Sequence, residues 1–281
     1  MIYNTKILEF ANGKKLVKFY AKPIHVNDSV TERVQEKKQI TEELKRMYDN
    51  FDSSDRSKDL SLSRTVQNIY NISRSNVWDY FVTFTFNPKR VDREDYDDCL
   101  ASVKKIIDYY RKFYCPDIKY LLVPEYHKDG KSIHFHGLFA NCADLPLVLA
   151  TGKDGNPLID VKGRYIYNAP DYIYGFSTLT KVFDNFAVCS YMTKYITKEL
   201  MLDTFGRNRY ICSHNTLRPV QKVANLTQSQ LDSLLLSNKL IFSKTIGEEE
   251  TKVSIFEVDD NKEFYNGFED IFYDFDDLED F

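Results

Sequence analysis

The feature that most constrains the fold of this chain is a pair of extended segments joined by a short turn. Residues 118–123 are rich in β-branched, aromatic and leucine side chains, and residues 133–139 alternate hydrophobic residues with histidine. Between them, Asp129-Gly130 is typical of a two-residue type I′ turn, in which both central residues need positive φ. The pattern therefore predicts a β-hairpin.

The turn position also predicts which residues face each other. With Asp129-Gly130 as the loop, Glu125 lies opposite His134 and Val123 lies opposite His136. Because side chains alternate across a strand, Glu125 and both histidines share one face. Two imidazoles and a carboxylate that converge can form an open divalent-cation site. The same spacing leaves His127, two residues beyond Glu125, as the alternative third ligand.

One residue of the hairpin conflicts with regular pairing. Pro124 would face Phe135 at a hydrogen-bonded position, and proline has no N–H to donate. We therefore expect either a β-bulge or an edge position there.

Length and cysteine content limit the classes of protein. The 281 residues can form one good core with appendages, and the longest apolar runs are far too short to span a bilayer. The first ten residues lack a basic segment followed by an apolar one, so no signal peptide is expected. The five cysteines include no CxxC pair, which favours reduced thiols in a cytoplasmic protein.

Charge is distributed unevenly along the chain. Residues 247–281 contain 14 acidic and two basic residues, so the net charge of −4 leaves about +8 on residues 1–246. A basic body suits a polyanionic partner, although a solvated acidic tail on an ordinary domain gives the same balance.

The order of the remaining patterns predicts an α+β fold. A hairpin over 3–21 and a charged helical stretch over 31–50 precede a strand that ends at Asn87-Pro88, and an amphipathic helix over 96–114 leads into the histidine hairpin. We expect a central antiparallel sheet of about five strands with flanking helices. The predicted divisions are an N-terminal hairpin-helix arm (1–58), the central domain (59–216), a helical segment (217–246) and a disordered acidic tail (247–281).

A second group of polar residues follows on a predicted helix over 186–200. At helical spacing, Tyr191, Tyr195 and Lys198 form one stripe, although tyrosine pairs at this spacing also occur in ordinary amphipathic packing. Phenol is a poor nucleophile at neutral pH, but a metal that polarises a phosphodiester makes attack by a tyrosine oxygen feasible. A nearby lysine can neutralise the developing negative charge.

Together these motifs resemble the rolling-circle replication initiators of the HUH endonuclease superfamily. Residues 81–88 (FVTFTFNP) look like the first motif, residues 133–139 (IHFHGLF) match the metal motif, and residues 192–199 (MTKYITKE) match the tyrosine motif. The resemblance covers about residues 61–213. It implies a ferredoxin-like HUH sheet with Tyr195 as nucleophile, and Tyr191 as the second tyrosine of the two-tyrosine branch.

The resemblance implies a specific reaction. One tyrosine nicks single-stranded origin DNA, leaving a 5′-phosphotyrosine and a 3′-OH primer, and the strands are later rejoined. It also implies Mg²⁺ or Mn²⁺ as the metal. The sequence has no GxxxxGK[ST] loop, so host helicase and polymerase are expected partners.

Several interpretations stay open at this stage. A relaxase or a single-strand transposase of the same superfamily is the nearest alternative, and a non-catalytic nucleic-acid-binding module on a ferredoxin-like sheet is another. Tyr167 or Phe176 are candidates for stacking on unpaired bases. Basic residues near the predicted site are candidates for contact with DNA, and they are Lys128, Lys131, Lys194, Arg207 and Arg209.

Overall fold

The computed structural model describes residues 2–11, 13–25, 56–192, 208–236, 238–247, 252–259, 264–265 and 271–274. The helices in these ranges are α1 (Arg56–Arg74), α2 (Tyr96–Phe113), α3 (Asn185–Met192) and α4 (Gln228–Leu236). The strands are β1 (Ile2–Glu9), β2 (Lys15–His25), β3 (Tyr80–Phe86), β4 (Lys119–Tyr126), β5 (Ile133–Ala140), β6 (Val148–Leu149), β7 (Ile166–Asn168), β8 (Gly175–Lys181), β9 (Ile211–Cys212), β10 (Val220–Ala224), β11 (Leu240–Ile246), β12 (Val253–Val258) and β13 (Tyr273–Asp274). The chain divides into two compact units, residues 68–217 and residues 1–67 with 218–281.

The unit of residues 68–217 is built on a seven-stranded antiparallel sheet with the order β6-β7-β8-β3-β5-β4-β9. The predicted α+β class is confirmed, and the sheet exceeds the expected five strands because short strands extend both edges. β6 and β9 have two residues each. Strand β3 lies between β5 and β8, so the histidine strand has partners on both sides.

One face of this sheet is packed against helix α2. Phe84 and Phe135 point into the core, where they meet the apolar side of α2 that includes Val103 and Ile107. The helix starts at Asp95, whose side chain accepts a hydrogen bond from the Asp98 backbone N–H, as N-cap residues do. The histidines of β5 alternate with these core residues, so they lie on the opposite face.

The predicted register of the histidine hairpin is confirmed. Glu125 pairs with His134 and Val123 pairs with His136, and no register shift interrupts β4 and β5. The predicted type I′ turn is wrong, because only Gly130 adopts positive φ, at 70°. The loop is longer, and it is closed by a hydrogen bond from the His127 N–H to the Ser132 carbonyl.

Pro124 takes the second of the two arrangements that the sequence allowed. It pairs with Phe135 without a bulge. On its other side, β4 pairs with β9 only at Leu121 and Leu122. Within the described residues, Pro124 therefore lies on a stretch of β4 that has a strand on one side only.

The second unit brings the two ends of the chain into one sheet. Its six antiparallel strands have the order β11-β12-β2-β1-β10-β13. The expected hairpin over residues 3–21 is present as β1 and β2, but it pairs with β10 and β12. The sequence divided these segments into an N-terminal arm and separate C-terminal parts, because strand patterns do not reveal partners that are distant in sequence.

The acidic segment 247–281 also differs from the expected disordered tail. Residues Val253–Val258 form β12, and Phe264 is buried in the core of this unit beside Ile7 and Leu231. Aromatic side chains between the acidic residues pack against the sheet, so acidic composition alone did not predict their state. The charged stretch 31–50 lies outside the described residues. In the part of the chain that the structure describes, no helix is long and apolar enough to cross a membrane.

Gly137 allows β4 and β5 to approach closely. A methyl group there would overlap the Leu121 carbonyl oxygen and the Leu122 side chain. We expect Gly137→Ala to lower the free energy of unfolding by about 1–3 kcal/mol, the usual range for overpacking, as measured by urea denaturation. Gly152→Ala is the matched control, because the closest atom to its methyl group would be the flexible end of the Asp154 side chain. Equal effects of the two substitutions would contradict this account.

Candidate active site

His136 is held at both nitrogens of its ring. Its Nε2 lies 2.9 Å from Glu125 Oε2, and its Nδ1 lies 3.0 Å from Thr83 Oγ1. Thr83 is placed there because it is the residue of β3 that pairs with His136. Since a hydroxyl can donate or accept a hydrogen bond, Thr83 can accommodate either tautomer of the imidazole. The ring is therefore fixed in orientation by two neighbouring strands.

His134 lies on the same face in a less polar setting. Its ring centroid is 6.2 Å from that of His136, and it stacks on His127 with centroids 4.8 Å apart. Burial, together with the neighbouring histidines His136 and His127, lowers the pKa of His134 to about 4. A neutral imidazole keeps a lone pair for coordination at neutral pH. His127, the alternative ligand, is thus next to the pair, with a half-exposed side chain.

The turn between β4 and β5 is braced by Asp129. Its carboxylate accepts hydrogen bonds from the backbone N–H groups of Lys131 and Ser132 and from the Ser132 hydroxyl. These bonds, the Ser132 hydroxyl first among them, hold the pKa of Asp129 well below its usual range. Lys128 and Lys131 are exposed on the same turn. The turn therefore presents two cations at the end of the sheet that carries the histidines.

Helix α3 lies over the face that carries Glu125 and the histidines. The ring of Tyr191 contacts Phe81, with centroids 5.4 Å apart, and Phe81 stacks on His136 at 6.1 Å. Nearly half of the Tyr191 side chain is exposed to solvent. Two consecutive ring contacts thus connect the first tyrosine of the predicted stripe to one of the predicted ligands.

The start of α3 is tied to residues that precede β3. Asp184 accepts a hydrogen bond from the Ala187 N–H at 3.0 Å, in the manner of an N-cap. The Asn185 side chain accepts one from the Trp78 N–H at 2.8 Å. The buried guanidinium of Arg74 lies 4.6 Å from the ring centroid of Phe186. These contacts set the position of the helix on the sheet.

Other predicted residues are only partly accounted for. The described part of α3 begins one residue before the predicted start, and residues 193–200 lie outside the described ranges. Arg209 is partly buried, and burial lowers its pKa. The predicted residues that lie outside the described ranges are Tyr195, Lys198, Lys194 and Arg207.

The donor set suits a divalent cation in its chemistry, although it is not assembled around one. Within the described ranges, no group of three or more His, Cys, Asp or Glu side chains is arranged to hold a metal ion. Glu125 and His136 are instead hydrogen-bonded to each other. A carboxylate, a neutral His134 and an oriented His136 are nevertheless ligands that Mn²⁺ accepts. His134, His136 and Glu125 would hold such an ion after a local side-chain rearrangement.

Sequence reasoning missed the roles of Thr83 and Phe81. Both lie in the first motif, and their alternation in FVTFTF places them on one face. The pattern does not say which neighbour β3 would take. Only the pairing of Thr83 with His136 reveals which face this is.

The low pKa of His134 can be tested directly. The folded state binds this proton only near pH 4, whereas an unfolded histidine binds it near pH 6.5. Stability from the neutral ring is therefore complete above about pH 6.5 and falls as the pH is lowered towards 4. NMR titration of the His134 ring should show a midpoint close to 4. In urea, His134→Gln should lose less stability than the parent protein between pH 6.5 and 4.5. A ring midpoint near 6.5 would contradict the prediction.

Comparison with known proteins gives one family. Residues 79–200 match the family model of the replication-associated protein ORF2. No curated protein and no solved structure matches the chain. The matched region is less than half of the chain, and it contains β3, the histidine hairpin and α3. Across this region the chain is similar to a replication-associated family, which supports a role in the initiation of replication.

Proposed function

We propose that this chain is a metal-dependent DNA endonuclease and strand transferase that initiates rolling-circle replication. The observation that carries the proposal is the ring contact of Tyr191 with Phe81, which stacks on His136. It brings the tyrosine helix to the sheet face where His134 and Glu125 also lie. The match of residues 79–200 to a replication-associated family supports the same interpretation.

In the proposed reaction a tyrosine oxygen attacks the scissile phosphorus. The P–O3′ bond breaks, the phenol loses its proton, and the 3′ oxygen leaves as a hydroxyl after it gains one. The products are a 5′-phosphotyrosine and a 3′-OH primer. The phosphotyrosine keeps a phosphodiester bond in place of the one that is broken, so rejoining by a 3′-OH needs no nucleotide cofactor.

Each residue has a distinct role in the proposal. His134, His136 and Glu125 bind Mg²⁺ or Mn²⁺, which supplies positive charge to the phosphodiester. Tyr195 is the nucleophile by its position in the tyrosine motif. Tyr191 is the second tyrosine, or it positions the first. The motif assigns Lys198 to neutralise the negative charge that develops on the phosphate.

Thr83 is the positioning residue for His136. In the structure its hydroxyl lies at Nδ1 while Nε2 faces Glu125. When Nε2 gives its lone pair to a cation, the ring proton must sit on Nδ1, and the Thr83 oxygen can accept it in a hydrogen bond. The threonine thus selects the tautomer that binds metal.

Covalent capture tests the reaction itself. The parent protein is incubated with Mn²⁺ and a pool of single-stranded 40-mers of random sequence, and denaturing electrophoresis isolates protein joined to DNA. We expect an adduct, with mass spectrometry finding a nucleotide on Tyr195 or Tyr191, and we expect Tyr195→Phe to abolish or strongly reduce it. Tyr165→Phe is the matched control, because Tyr165 is exposed on the same unit but lies outside the motif. Tight binding of the pool without any adduct would favour the non-catalytic module.

Removal of the Thr83 hydroxyl tests the metal site. Thr83→Val should weaken Mn²⁺ binding about 10- to 100-fold, the usual effect of losing such a partner, as measured by isothermal titration calorimetry. Thr83→Ser keeps the hydroxyl and should bind Mn²⁺ nearly as the parent protein does. Equal affinities of the valine and serine variants would show that this hydroxyl does not support a metal ligand.

A further inference from the structure

We propose that Phe176 forms a subsite that stacks one unpaired base of single-stranded DNA beside the histidine pair. The inference rests on the proposed function and adds a residue that recognises the substrate. Phe176 is the second residue of β8, and slightly more than half of its side chain is exposed. Within the described residues, no aromatic ring contacts it.

The strand register places Phe176 on the face of the site. Phe176 pairs with Thr85, and Thr85 pairs with His134. Side chains of directly paired residues point to the same face, so the three form one row across β8, β3 and β5. Two strand spacings separate the backbone of Phe176 from that of His134, which is about 10 Å. This separation is of the order of one or two nucleotides of an extended strand.

The other aromatic candidate, Tyr167, is excluded from this role by the same register. It pairs with Leu179, which is buried in the core on the opposite face. Its ring packs edge-on against Tyr80, with centroids 6.3 Å apart. The structure thus distinguishes two residues that were equivalent in the sequence.

The backbone before Phe176 is fixed to the end of β3. The Asn87 N–H donates a hydrogen bond to the Tyr174 carbonyl, and the Arg90 guanidinium donates one to the Ile173 carbonyl. A methyl group at Gly175 would overlap the Thr85 carbonyl oxygen, so only glycine allows this close approach. An exposed ring on a fixed backbone loses little conformational entropy when it binds, which favours a recognition role.

The charges at this end of the sheet match the phosphates of a nucleic acid. β3 ends, and β5 and β8 begin, at the same end, so the loop after β3 and the β4–β5 turn lie beside Phe176. Four exposed cations occupy these two loops, namely Lys89, Arg90, Lys128 and Lys131. An apolar ring surrounded by cations suits a strand with stacking bases and anionic phosphates better than an apolar peptide.

Binding measurements without metal test the subsite. Fluorescence anisotropy in EDTA compares two labelled probes, (dT)12 and a 12-mer of abasic sites with the same phosphates. We expect Phe176→Ala to weaken (dT)12 binding roughly 5- to 150-fold, the range for loss of one stacked base, and to leave abasic binding unchanged. The slope of log affinity against log salt should stay the same, because no phosphate contact is lost.

Two control variants complete the experiment. Phe176→Tyr keeps a ring and should bind (dT)12 nearly as the parent protein does. Phe113→Ala removes an exposed phenylalanine at the end of α2, on the other face of the sheet, and should bind both probes normally. The urea midpoint of Phe176→Ala verifies that the variant is folded. Unchanged (dT)12 binding, or an equal loss for both probes, would overturn the subsite.

The outcome is separable from that of the covalent capture. An adduct in the parent protein with unchanged (dT)12 binding by Phe176→Ala would refute only the subsite. Selective loss of (dT)12 binding without any adduct would refute the nicking reaction and support the subsite. The two proposals therefore fail independently.

Discussion

The backbone pairing of β4 with β5 is the constraint on which the candidate site depends. In the observed register, Phe135 is buried in the core while His134 and His136 share the other face with Glu125. A slip of β5 by one residue would exchange these faces. The imidazoles would enter an apolar core without partners, at a cost of several kcal/mol, and the aromatic ring would leave it. The hydrophobic side of the hairpin thus keeps the polar side in place.

This register could be predicted from the sequence although the turn type could not. The expected type I′ turn needs positive φ at Asp129, but that residue instead directs its carboxylate to the backbone N–H groups of Lys131 and Ser132. The observed loop closes at His127 and Ser132, whose midpoint is that of the shorter predicted loop. Both loops therefore give the same pairing. Strand alternation determined the faces, and the local chemistry of aspartate determined the turn.

Contacts between residues that are distant in sequence account for what could not be predicted. The hydrophobic pattern identified β3 and β5 as strands, but Thr83 gains its role only when these two strands pair. In the same way, β1 was expected, while its partner β10 lies about 200 residues away. Periodicity reports which side of an element is buried, and it carries no information on the identity of the neighbour. The aromatic residues of the acidic segment illustrate the same limit, because their burial requires a sheet built from both ends of the chain.

The site divides its tasks between a sheet and a helix, and this division has a chemical consequence. The imidazoles take their orientation from paired strands, whereas Tyr191 takes its position from α3, which is anchored through Asn185 and Phe186. Under the proposed function, a base that stacks on Phe176 must already be unpaired, because both faces of a base inside a duplex are occupied by its neighbours. A duplex therefore cannot use this subsite and the cation ligands together. Selection of unpaired DNA then follows from the shape of the sheet face alone, before any base is read by hydrogen bonds.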